Sequence, residues 1–71
     1  MRIVYDRETD TLTVVFSDAK IVESDEARPG IILDWDDEGN LVSIEVVRAS
    51  ERLGSPAEVR FSLEGQPEVS A

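Results

Sequence analysis

The segment from Asp34 to Glu45 holds the side chains best suited to metal chemistry. Read as a twelve-residue calcium loop, it places carboxylates at positions one, three, five and twelve and a glycine at position six, close to the EF-hand spacing. An EF-hand needs a helix on each side, whereas residues 31–35 and 41–47 alternate as strands do. In strand geometry we expect Asp34 and Glu45 to lie apart along the sheet, unable to converge on one ion. We therefore interpret the segment as a hairpin turn.

A divalent-metal-binding protein or metal-dependent enzyme remains the alternative hypothesis. Its candidate ligands are Asp34, Asp36, Glu38 and Glu45. A hydrolase with paired carboxylates would need one acid held protonated by burial or by a neighbouring charge. The candidate acids fall on the more polar face of the predicted strands, and we interpret them as a solvated surface.

The sequence excludes several kinds of catalysis. It contains no histidine and no cysteine, which removes the commonest general base and every thiolate metal site or disulfide. Ser50 has no histidine to activate it, so we expect it to cap or turn a short helix. We predict a non-enzymatic protein with no cofactor.

The charge balance bears on partners. Sixteen acidic residues against seven basic ones give a net charge of −9, which repels nucleic acid and anionic membrane surfaces and favours a basic partner. The N-terminus has no apolar stretch of the signal-peptide kind, and no apolar run approaches a transmembrane length. We expect a soluble cytoplasmic protein that binds neither nucleic acid nor membrane. The aromatic residues are assigned to the core rather than to a base-stacking platform: Tyr5, Phe16, Trp35 and Phe61.

Two hairpins are predicted from period-two alternation. The first joins residues 2–6 to 11–16, with Tyr5 opposite Leu12 and Ile3 opposite Val14. The second is the segment around which the chain is organised. Its predicted pairs are Ile31 with Val46, Leu33 with Ile44 and Trp35 with Val42. Either a two-residue loop, Glu38-Gly39, or a four-residue loop, Asp37 to Asn40, gives this register, which the hydrophobic pattern fixes.

The remaining segments complete a single domain. Residues 21–27 begin apolar and turn acidic, as an edge strand does, and Pro29-Gly30 suits a type II turn. Residues 48–53 predict a short helix that stops at Gly54, and residues 57–63 alternate as a sixth strand. The fold class is therefore mostly β, an antiparallel meander sheet of about five to six strands with one short helix near residues 48–53. It spans residues 1–64, followed by a flexible tail over 65–71.

The face opposite the main core is also apolar. Its members are Val4, Val15, Ile32, Leu41 and Val47. Monomers avoid exposing such a patch, so either the helix and sixth strand cover it or a second copy of the chain does. We expect a homodimer. The predicted partner contacts are Val4, Val15, Ile32 and Val47 for self-association, and Glu23, Asp25 and Glu26 for a basic protein.

Several short motifs together resemble a known family. They are Tyr5-Asp6, Thr9 to Leu12, Glu23-Ser24, Arg28 to Asp34, Asp36, Gly39, Ile44 to Val46, Ala49-Ser50 and Arg52. In order and spacing they resemble the small prokaryotic family named domain of unknown function 2283, over about residues 1–53. Thr9 and Thr11 stand where that family usually has alanines, and Ser43 where it often has glycine. The resemblance implies no catalytic residues, and by analogy with small acidic proteins encoded beside toxin-like partners it implies an antitoxin-like interaction module.

Overall fold

The computed structural model describes residues 1–54 and 58–65 and confirms an antiparallel sheet with one short helix. The elements are β1 Arg2–Asp6, β2 Thr11–Val15, β3 Glu23–Arg28, β4 Ile31–Trp35, β5 Leu41–Val47 and α1 Ala49–Leu53. The strands of the described residues lie in the order β1-β2-β5-β4-β3. A hairpin and a three-stranded meander thus share one sheet. Residues 16–22 connect them, and β5 becomes the central strand.

The predicted register of the first hairpin is confirmed. Tyr5 pairs with Leu12 and Ile3 pairs with Val14. The same rows continue across the sheet through β5 and β4, because Val14 faces Ile44 and Ile44 faces Leu33. Side chains directly opposite each other share a face. The two hairpins therefore present one continuous apolar face, which we call face A: Ile3, Tyr5, Leu12, Val14, Ile31, Leu33, Trp35, Ile44 and Val46.

The second hairpin differs from prediction at its turn. Ile31 opposite Val46 and Leu33 opposite Ile44 are confirmed, but Trp35 faces Leu41, not Val42, because a bulge shifts the register after Asp34. Residues 36–40 form the loop, closed by the Asp36 backbone N–H donating to the Asn40 carbonyl at 3.0 Å.

The Asp36 side chain explains the longer loop. Its Oδ1 accepts hydrogen bonds from the backbone N–H groups of Glu38 at 2.9 Å and Asn40 at 2.8 Å. A short acidic side chain that satisfies nearby backbone donors stabilises a turn. Gly39 supplies the required positive φ of 82°.

Helix α1 is held against the β1–β2 turn on one side and the β3–β4 turn on the other. The Ala49 backbone N–H donates to the Asp10 carbonyl at 2.8 Å, and the Asp10 carboxylate accepts from the Ser50 N–H at 3.1 Å and the Ser50 hydroxyl at 2.7 Å. On the other side, the Arg52 guanidinium donates to the Pro29 carbonyl. Five residues are too few for a stable isolated helix, so these contacts fix where α1 forms.

Three predicted boundaries need correction. The third strand begins at Glu23 rather than Ile21 and includes Arg28. The prediction of a sixth strand over residues 57–63 is wrong for residues 58–63, which have no regular secondary structure. Ala57 lies outside the described residues. Phe61 is 80 % exposed and Phe16 is 41 % exposed, so the assignment of these two residues to the core is wrong. Of the predicted tail, residues 66–71 lie outside the described residues.

The described residues form a single layer with a small core. Its buried hydrophobic side chains, among those residues, are Val42, Val46 and Ala49. The five strands of the described residues all belong to one sheet, with no second sheet packed against it. The segment 58–65 does not cover either face, since Val59, Phe61 and Leu63 are 54–87 % exposed.

Replacing Gly30 by alanine tests the anchoring of α1. Gly30 has φ +83°, and an added Cβ would lie 3.0 Å from Arg52 Nη2. Gly39 has nearly the same φ, +82°, with no atom within 4 Å of such a Cβ. We expect Gly39→Ala to cost about 1–2 kcal/mol of unfolding free energy from backbone strain alone. Gly30→Ala should cost about 1 kcal/mol more, because the Arg52 hydrogen bond must move.

Urea denaturation of both variants measures this difference. Equal losses in the two variants would show that the contact of Arg52 with the β3–β4 turn does not stabilise the fold.

Candidate functional site

A buried carboxylate joins three adjacent strands. Asp34, on β4, is 1 % exposed. Its Oδ1 accepts a hydrogen bond from the Ser24 hydroxyl on β3, and its Oδ2 accepts one from the Ser43 hydroxyl on β5, both at 2.6 Å. The three residues are direct cross-strand neighbours. A buried charge requires such partners, and short hydroxyl–carboxylate contacts are among the stronger hydrogen bonds.

The second carboxyl group of this cluster is that of Glu45. Its hydrogen bond with Asp34 raises the pKa of Glu45 to about 7, with burial and the Asp34 charge acting in the same direction. Burial would raise the pKa of Asp34, but the hydrogen bonds from Glu45, Ser24 and Ser43 lower it below its ordinary value. The pair therefore holds one proton on Glu45 and one negative charge on Asp34 over the intervening pH range.

This geometry corrects two expectations. Asp34 is buried, so its assignment to a solvated surface is wrong. Asp34 and Glu45 also do meet, because residues diagonal to each other on adjacent strands lie within side-chain reach. The metal hypothesis gains little from this contact, because Asp36 is engaged in the turn. In the part of the chain that the structure describes, no group of three or more acidic side chains is arranged to hold a metal ion.

The acidic edge of the sheet forms a second feature. All six residues of β3 are exposed, and β3 ends the strand order. The indole N–H of Trp35 donates to Asp25 Oδ2 at 3.1 Å. Residues of β3, Trp35 and the β4–β5 loop border a groove of about 480 Å³. The residues that line it are Val22, Glu23, Asp25, Trp35, Asp36, Asp37 and Gly39.

The predicted contact residues divide between the two features. Glu23, Asp25 and Glu26 all lie on β3, and the Glu26 carboxylate accepts the Gly30 backbone N–H at 2.9 Å. Val4, Val15, Ile32 and Val47 share the face that bears Asp34, Ser43 and Glu45, which we call face B. Val4 is 43 % exposed, and the other three are half-buried. The structure thus places a polar cluster among the predicted self-association residues.

The Ser24–Asp34–Ser43 row was missed by sequence reasoning although a signal was present. The predicted pairing of Leu33 with Ile44 already places Asp34 opposite Ser43. A hydroxyl facing an acid across a strand pair predicts a hydrogen bond. The contact of Asp10 with Ser50 left no such signal, because forty positions separate the two residues.

The fold and the buried cluster define a small five-stranded antiparallel sheet domain, within the described residues, that has a carboxyl pair at its centre. The family described as protein of unknown function (DUF2283) matches residues 2–50, and the chain belongs to this family. This confirms the resemblance found in the sequence. Among curated proteins and solved structures, none matches the chain significantly. No helix in the described part of the chain is long and apolar enough to cross a membrane.

The carboxyl pair predicts a pH dependence of stability. Because the folded pKa of Glu45 is raised from 4.5 to about 7, the folded state binds a proton there that the unfolded state has lost. Its stabilising effect is complete below pH 4.5 and disappears as the pH rises through 7. We expect the urea midpoint of the protein to fall between pH 5 and pH 8.

The Glu45→Gln variant provides the control. Glutamine keeps a hydrogen-bond donor for Asp34 but does not titrate. The urea midpoint of this variant should therefore not show the fall between pH 5 and pH 8. Asp10 and Asp36 have lowered pKa values and stay ionised throughout the range. Parallel curves for the two proteins would contradict the assignment of the proton to Glu45.

Proposed function

We propose that this protein is a non-enzymatic interaction module that binds an extended, basic segment of a partner protein along β3. The observation that carries the proposal is the exposure of β3 over its whole length at the edge of the sheet. An edge strand presents unpaired backbone N–H and C=O groups, which a further strand can use. Its sequence, ESDEAR, disfavours pairing with a second acidic copy.

Side chains beside β3 support the choice of a basic partner. The groove near Trp35 contains four carboxylates, those of Glu23, Asp25, Asp36 and Asp37. An aromatic ring beside carboxylates suits a lysine or arginine side chain, since the cation gains from both charge and the ring face. The net charge of −9 would accelerate the approach of such a partner.

An antitoxin-like role is one form of this proposal. In it, the basic segment belongs to a small protein whose activity is blocked by the complex. The buried Asp34 does not enter this function directly. It holds β3 on the sheet through Ser24 and so keeps the edge in place.

A synthetic peptide that alternates lysine and valine tests strand addition at this edge. Trp35 is the sole tryptophan of the sequence and donates a hydrogen bond to Asp25 on β3, so its fluorescence should change on binding. The triple variant Glu23→Gln, Asp25→Asn, Glu26→Gln should weaken binding at least about tenfold, because charge-assisted contacts are lost.

Two controls separate the edge from general charge attraction. The variant Asp6→Asn, Glu8→Gln, Glu51→Gln changes the net charge by the same amount away from β3 and should bind nearly as well as the unmodified protein. A peptide N-methylated at every residue should bind weakly, because neither of its edges has a backbone N–H to donate to β3. Equal weakening by both triple variants, or equal binding of the methylated peptide, would contradict the proposal.

A further inference from the structure

We propose that face A is covered by face A of a second copy, giving a homodimer of two sheets packed face to face. This inference does not depend on the proposed basic partner. It differs from the sequence-based prediction, which placed the second copy on Val4, Val15, Ile32 and Val47 of face B.

The chain exposes more surface than a compact monomer of its size. The accessible surface of the chain is 5608 Å², whereas a compact monomer of this size has about 4,400 Å². A standard interface buries about 800 Å² on each partner. The difference between the two accessible surfaces is larger than this area. The exposed segment 58–65 contributes to the excess. Face A is open as well, since Ile3 is 43 % exposed and seven further members are only half-buried: Tyr5, Leu12, Val14, Ile31, Leu33, Trp35 and Ile44.

The two faces of the sheet differ in their chemistry. On β1, β2, β5 and β4, every position of face A in the two central rows is apolar or aromatic, from Ile3 and Tyr5 to Leu33 and Ile31. The centre of face B instead holds Asp34, Ser43 and Glu45, whose polar groups bond with one another. Apolar area, not internally paired polar area, gains from removal from water.

The charge of face A is concentrated on the edge strand β3 and is net negative. Glu23 lies opposite Trp35, Asp25 opposite Leu33 and Arg28 opposite Ile31. Like charges repel, so the two copies are arranged with the β3 strand of one over β1 of the other. The backbone edges of both β3 strands remain free in this arrangement.

Adjacent residues on β1 give a matched test. Ile3 lies on face A and Val4 on face B, and each is 43 % exposed. Analytical ultracentrifugation of the full chain should show a dimer whose dissociation constant rises about tenfold or more in Ile3→Glu, because the new charge enters the interface. Val4→Glu should leave the dissociation constant within about threefold of that of the unmodified protein. Circular dichroism checks that both variants fold.

Cross-linking gives a second readout that does not depend on a destabilising charge. The sequence contains no cysteine, so Ile44→Cys on β5 introduces one thiol near the centre of face A, and Thr13→Cys introduces one on face B. A short bismaleimide should join two Ile44→Cys chains and not two Thr13→Cys chains. A monomeric protein at all concentrations, dissociation by Val4→Glu instead of Ile3→Glu, or cross-linking through Thr13→Cys would overturn the proposal.

Discussion

The buried carboxylate of Asp34 is the constraint on which the arrangement of the sheet depends. An ionised group that is 1 % exposed must have all its strong hydrogen-bonding positions occupied, or the free energy of burial becomes prohibitive. Ser24 and Ser43 occupy them from the two neighbouring strands. A slip of either strand by one residue would remove a hydroxyl. A slip of β5 would bring the apolar Val42 or Ile44 opposite the carboxylate, and a slip of β3 would bring a second acid, Glu23 or Asp25. The group therefore fixes register as well as position.

The other end of the sheet is organised by α1. Asp10, the Pro29-Gly30 turn and the helix meet there, although they come from three distant parts of the chain. The motifs that carry the family resemblance include these same residues. Their spacing in the sequence has a physical explanation, because each turn must reach the short helix from its own side. The Tyr5 hydroxyl also donates to Asp10 at 2.6 Å, which links the apolar face to this junction.

The sequence was a good guide to local pairing and a poor guide to contacts between distant segments. Alternation and turn residues sufficed for the register of the first hairpin, for Leu33 opposite Ile44 and for the helix before Gly54. The bulge after Asp34 was missed because the Asp36 side chain, rather than the hydrophobic pattern, determines the loop. The pairing of β2 with β5 and the burial of Asp34 depend on tertiary packing. Phe61 shows the opposite error, since alternation alone does not provide a sheet for its segment to join.

The central cluster bears on both surfaces of the protein. Ser24 attaches the acidic edge to the sheet, and the carboxyl pair makes the centre of face B polar, leaving face A as the larger apolar surface. The bond between the two carboxyl groups of this cluster requires that Asp34 and Glu45 share one proton. A carbon-detected NMR titration of the Glu45 side-chain carboxyl group in the folded protein measures this directly. We expect Glu45 to titrate with a pKa of about 7, while the pKa of Asp34 lies below its ordinary value of 3.8. A Glu45 carboxyl that titrates near its ordinary value of 4.5 would contradict the account.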